Sequence, residues 1–105
     1  MKLGDKQRLF GSLLPLLLGY VKVLGFECAV AYCMRCKDCP VGHEKSAHKM
    51  KLAIDLDLFL YEQYVVDTET HKPLGEFWES LHPLCRWGGR WGDGNHYSIE
   101  HGGVK

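Results

Sequence analysis

The segment Leu52 to Leu60 (Leu-Ala-Ile-Asp-Leu-Asp-Leu-Phe-Leu) alternates strictly, and this alternation constrains the fold more than any other feature of the chain. In an extended strand, Leu52, Ile54, Leu56 and Leu58 point one way, and Ala53, Asp55, Asp57 and Phe59 point the other. A strand buried on both faces is excluded, because two carboxylates would then lose water without gaining partners. The segment therefore calls for a sheet with one face on a core and the other lining a polar cleft.

The rest of the chain must cover the apolar face. Residues 3 to about 24 read as a helix, with Leu3, Phe10, Leu13, Leu14, Leu17, Tyr20, Val21 and Leu24 on one broad stripe. Lys6, Arg8, Ser12 and Lys22 are expected mostly off that stripe, and Gly25 supplies a stop. Phe26 to Tyr32 reads as a strand, and 33 to 47 as a loop rich in cysteine, Pro40, Gly42 and charge. Tyr64 to Val66 can form a short return strand. Thr70 or His71 then caps a second helix with Pro73 near its first position, and Pro83 ends it. Its stripe is Leu74, Phe77, Trp78 and Leu81. Residues 86 to 95 read as a glycine-rich loop, and His96 to Glu100 as a last strand with Tyr97 and Ile99 toward the core and His96, Ser98 and Glu100 away from it. The expected fold is α+β: one domain over 1–105, with a small antiparallel sheet and packed helices.

Composition narrows the function. Thirteen basic residues balance thirteen acidic ones, which gives no electrostatic case for a nucleic-acid partner. The apolar run Leu13 to Leu24 is short for a bilayer span and is interrupted by Pro15, Gly19 and Lys22, so it reads as a buried helix with no stable membrane association. Five cysteines, an odd and clustered set, argue against a disulfide framework.

Chemistry concentrates in His48, Asp55 and His96. Two imidazoles and one carboxylate suit zinc (Zn2+) with a coordination position left open. If the last strand lies beside the 52–60 strand, His96 and Asp55 meet on one sheet face, and His48 reaches them from the loop that enters it. Asp93, three residues before His96, is the candidate general base, with Glu100 as the reserve; as an Asp-Gly pair Asp93 is also an ordinary turn residue. Asp57 reads as support for Asp55 or as a solvated carboxylate. Cys33, Cys36, Cys39 and His43 are either a second, structural zinc site or free thiols. His71 and His82 flank a helix and need no special role. Trp87, Trp91 and Tyr97 are candidates for the cleft walls.

The stretch Ser46-Ala-His48-Lys-Met-Lys-Leu-Ala53-Ile-Asp55 resembles the Ser-x-His-x-x-Gly-x-Ala-x-Asp motif of the M15 zinc peptidases, and Trp87-Gly-Gly-Arg-Trp-Gly-Asp93-Gly-Asn-His96-Tyr is similar to that family's closing Asp-x-x-His element. The resemblance extends over nearly the whole chain. It implies a Hedgehog/DD-peptidase-like fold, His48, Asp55 and His96 as zinc ligands, Asp93 as general acid and base, and Ser46 and Arg35 as substrate-binding residues. It further implies a monomeric, phage-type endolysin that waits in the host cytoplasm until lysis and then cuts L-alanyl-D-glutamate bonds in peptidoglycan. D-alanyl-D-alanine carboxypeptidase activity is the alternative within the family. A zinc-stabilised phage structural or binding module without turnover is the alternative outside it. A redox or metal-sensing role for the cysteines is a third. Lys51 stands where the family has glycine, so the backbone there is expected to be ordinary.

Overall fold

The alternating segment forms β2 (Ala53–Leu60), the central strand of an antiparallel sheet. A computed structural model of the chain describes residues 1–32, 47, 50–65 and 67–105. Within these, α1 (Leu3–Val23) leads to β1 (Glu27–Tyr32), β2 turns into β3 (Gln63–Val65), and α2 (Thr68–Leu81) follows. β4 (Cys85–Trp87), a 3-10 turn (Gly88–Trp91) and β5 (His96–Ile99) complete the fold. The strand order is β1-β2-β5-β4, with β3 also on β2. The class is α+β.

The apolar side of β2 behaves as its pattern requires. Leu52, Ile54, Leu56 and Leu58 are buried together with Phe10, Leu17 and Val21 of α1 and Leu74 and Trp78 of α2. The two helices meet over this face, Tyr20 stacking on Phe77 at 4.2 Å and Phe10 meeting Trp78 edge-on at 5.8 Å. Within Leu13 to Leu24, Leu17 and Val21 thus pack into the core while Leu16 and Val23 face outward, and among the described residues no helix is long and apolar enough to cross a membrane. Pro15 is tolerated within α1 because both it and Gly11, whose carbonyl loses its helical partner, face solvent.

Several local expectations need correction. Lys6 lies on the core side of α1, buried, with its ammonium donating to the Glu100 carbonyl at 3.0 Å. Its aliphatic stem packs while its head finds a backbone acceptor, which a count of apolar positions cannot anticipate. α2 starts earlier than expected, at Thr68. Asp67 is the N-cap, its carboxylate accepting from the Thr70 backbone N–H at 3.1 Å, so Pro73 lies inside the helix. Cys85–Trp87 is a strand, because Trp87 pairs with Tyr97 and is buried.

Lys51 departs furthest from expectation. Its φ is +60°, in the left-handed region, at a turn closed by Met50 and Leu52 N–H groups that both donate to the Ala47 carbonyl. The glycine conformation is kept although a lysine must adopt it, at a cost of about 1–2 kcal/mol. The bonds to Ala47, itself buried, hold the backbone in this turn at the entry to β2. Tyr61 and Glu62, both at positive φ, likewise form the two-residue β2–β3 turn with side chains poorly suited to it.

Replacing Lys51 by glycine should therefore raise stability by up to about 1 kcal/mol, the relieved strain being partly offset by the greater freedom of the unfolded chain. Urea denaturation should show a higher midpoint at unchanged slope. A lower midpoint would contradict the strain at this turn.

Candidate metal centre

Asp55 and His96 lie directly opposite one another where β2 pairs with β5, on the face turned away from the helices. This is the juxtaposition the alternation of both strands requires. His96 Nδ1 stands 3.4 Å from Asp55 Oδ1 and 4.0 Å from Asp93 Oδ2. The first distance exceeds a charge-assisted hydrogen bond of about 2.7–2.9 Å. One donor atom each from Asp55, Asp93 and His96 lies within 4.8 Å of the others, and this group can hold a metal ion. His96 and Asp55 are largely enclosed, with side chains 7% and 16% exposed, whereas that of Asp93 is 53% exposed. Two members of the group are thus enclosed and one faces solvent.

The segment bearing Asp93 and His96 is held by local bonds. The Asp93 N–H donates to the Gly88 carbonyl at 2.8 Å, the His96 N–H to the Asp93 carbonyl at 3.2 Å, and the Leu56 N–H to the Asn95 carbonyl at 2.9 Å. The Trp87 indole N–H donates to the Gly94 carbonyl at 2.7 Å. Gly94 lies so close to α2 that a Cβ there would be 2.8 Å from Thr68 Cα. The Trp87 ring in turn lies against Gly75 of α2, where a Cβ would come within 2.0 Å of it. Arg90 fastens the 3-10 turn to α2 through Glu79 at 2.7 Å.

Of the expected aromatic walls, only Trp91 stands beside the centre, 40% exposed and edge-on to His96 with ring centroids 5.7 Å apart. Trp87 and Tyr97 are buried and belong to the core and to the support of the loop. The Lys105 ammonium lies 4.9 Å from the Trp91 ring centroid. The reserve base Glu100 is committed elsewhere, its carboxylate accepting from the Gly103 N–H at 2.6 Å. Asp57 accepts from the Tyr64 hydroxyl at 3.3 Å, and its charge raises the Tyr64 pKa. His48, Ser46 and Arg35 lie outside the described residues, as do Cys33, Cys36, Cys39 and His43. Burial raises the pKa of Cys28 and pushes the Cys85 thiol up to about 12, so neither of these two is a ready thiolate.

His71, which the sequence left without a role, is buried within α2. Its Nδ1 is 2.8 Å from the Tyr97 hydroxyl. Burial raises the Tyr97 pKa, which keeps the hydroxyl protonated, and it shares a hydrogen bond with the imidazole whose direction is set by the His71 tautomer. Burial also lowers the His71 pKa, against the opposing pull of the Asp67 and Asp57 carboxylates. The only sequence signal for this pair is a histidine at the i−3 position to Leu74, on the same helical stripe.

The sign of the resulting pH dependence is fixed. The unfolded chain protonates His71 near its ordinary value of 6.5 and the native chain only below it. The contribution is thus fully present above pH 6.5 and is lost as pH falls through the depressed native value. The stability difference between the wild type and His71→Asn, measured by denaturation across this range, should shrink as pH falls; a difference that is flat with pH would contradict a buried neutral imidazole. Gly75→Ala should cost about 3 kcal/mol in the same assay, because the Trp87 ring has nowhere to retreat, and a loss under about 1 kcal/mol would contradict that packing. No protein-family model, curated protein or solved structure matches this chain.

Proposed function

We propose that the chain is a zinc-dependent peptidase with a Hedgehog/DD-peptidase-like fold that hydrolyses peptidoglycan stem peptides, most specifically the L-alanyl-D-glutamate bond, as a phage-type endolysin. The observation that carries the reading is the convergence of Asp55, Asp93 and His96, contributed by β2, a glycine-bounded turn and β5, on one point at the edge of a polar sheet face. Their types and order also fit the resemblance to M15 peptidases.

Asp55, His96 and, from the sequence, His48 would hold the ion. Bound there, zinc supplies Lewis acidity, bringing the pKa of a water molecule toward about 7 and polarising a carbonyl. The chain's own groups do the rest. Asp93, at the open side, takes the proton of the attacking water and hands it to the departing amine. Sheet pairing holds Asp55 and His96 rigid, so that little reorganisation is needed when charge develops. Trp91 shields one flank of the centre from water. Ser46 and Arg35 would orient the substrate peptide.

Digestion of purified peptidoglycan, with product masses read by mass spectrometry, tests the reading. Fragments ending in an L-alanyl carboxylate and new D-glutamyl amines are expected, whereas release of terminal D-alanine alone would move the assignment to a carboxypeptidase. Asp93→Ala should lower the rate by at least about 100-fold while zinc stays bound. If neither protein releases any fragment although both bind zinc, the non-catalytic binding module is the correct reading.

A further inference from the structure

β5 holds His96, itself buried, at the last paired position of a short ladder. It pairs with β2 through Ala53↔Ser98, Ile54↔Tyr97 and Asp55↔His96, and one further bond, from the Leu56 N–H to the Asn95 carbonyl at 2.9 Å, joins the strands before the chain enters the turn bearing Asp93. The ends of a ladder are its least protected part, so tertiary contacts to that end of β5 add to the pairing that holds His96. On the opposite side of the same strand, α2 reaches β5 with two buried polar contacts. One is His71 Nδ1 to the Tyr97 hydroxyl at 2.8 Å, and the other is the Trp78 indole N–H to the Ser98 carbonyl at 2.9 Å. His71 and Trp78 are seven residues apart, two turns along one helix face. Together they fix both the height and the rotation of α2 against β5. Apolar contacts alone would tolerate sliding, whereas a buried hydroxyl in an apolar core is satisfied in one register only.

We propose that His71 is a positioning residue for the metal centre, its buried bond to the Tyr97 hydroxyl locking the end of β5 from which His96 projects. The inference rests on the metal-centre reading for its consequence, but not for its geometry. Tyr97 and His96 are consecutive in β5 and point to opposite faces, so the Tyr97 ring acts as a lever anchored in α2. The same first turns of α2 also abut the centre's other carboxylate segment, through Thr68 against Gly94. The start of α2 is thereby a common platform for Asp93 and His96.

The test uses the full chain with its histidines isotopically labelled, first without metal and then titrated with zinc. Trp78 still ties α2 to β5 when His71 is changed, so folded variants are expected. In His71→Leu and in Tyr97→Phe, the metal-free His96 ring resonances should shift and broaden, and zinc affinity should fall about 10- to 100-fold. His71→Asn, which sets an amide oxygen where Nδ1 stands, should keep sharp His96 signals and zinc affinity within about threefold of the wild type. A folded His71→Leu chain with unchanged His96 signals would overturn the proposal, as would His71→Asn behaving like His71→Leu. If His71→Leu fails to fold, Tyr97→Phe, which keeps the buried ring, decides by the same criteria. A wild-type chain that binds no zinc would sink the metal reading alone, because the metal-free His96 signals would still decide the role of His71.

Discussion

The cross-strand pairing of Asp55 with His96 is the constraint on which the rest of the molecule depends. Strand side chains alternate, so this one register decides both halves of the protein at once. It sends Ile54 and Leu56 into the core with Tyr97 and Ile99, and it sets a carboxylate and an imidazole together on the other face. A slip of one residue would bury Asp55 and expose Ile54. The hydrophobic core on the opposite face therefore enforces the register that sets the two side chains 3.4 Å apart.

The third member arrives by other means. Asp93 lies on no strand. Its place is set by the turn closing on Gly88 and by the contact of Gly94 with Thr68. Two glycines, at 75 and 94, let the loop and Trp87 come closer to α2 than any side chain permits. This arrangement leaves Asp93 exposed while His96 beside it is enclosed. In the proposed hydrolysis the exposed carboxylate would act as base beside the enclosed ligands.

Much of this was legible in the chain, for definite physical reasons. The alternation of β2 and β5 and the helical stripes of α1 and α2 follow from periods of two and 3.6, so the α+β class could be read from residue order, as could the meeting of Asp55 with His96 once the two strands are neighbours, which only the fold supplies. Features set by tertiary contact could not. Lys6 is buried because a carbonyl on β5's far end waits for it. Cys85–Trp87 is a strand because Tyr97 lies opposite, although glycine-rich surroundings suggest a loop. Lys51 keeps a left-handed backbone because Ala47 anchors the turn, where residue type alone predicts an ordinary one. His71 looks like a helix-flanking polar residue until the Tyr97 hydroxyl is found beside it. Position-specific backbone strain and buried polar pairs both depend on partners distant in sequence, which local patterns do not encode.

Crystals of the chain soaked in zinc, with anomalous scattering recorded at the zinc edge, test the central claim most directly. A single ion in contact with the Asp55 carboxylate and the His96 imidazole, with the Asp93 carboxylate facing its open side, is the result expected. An ion bound elsewhere, with Asp55 and His96 making no contact to it, would contradict the account.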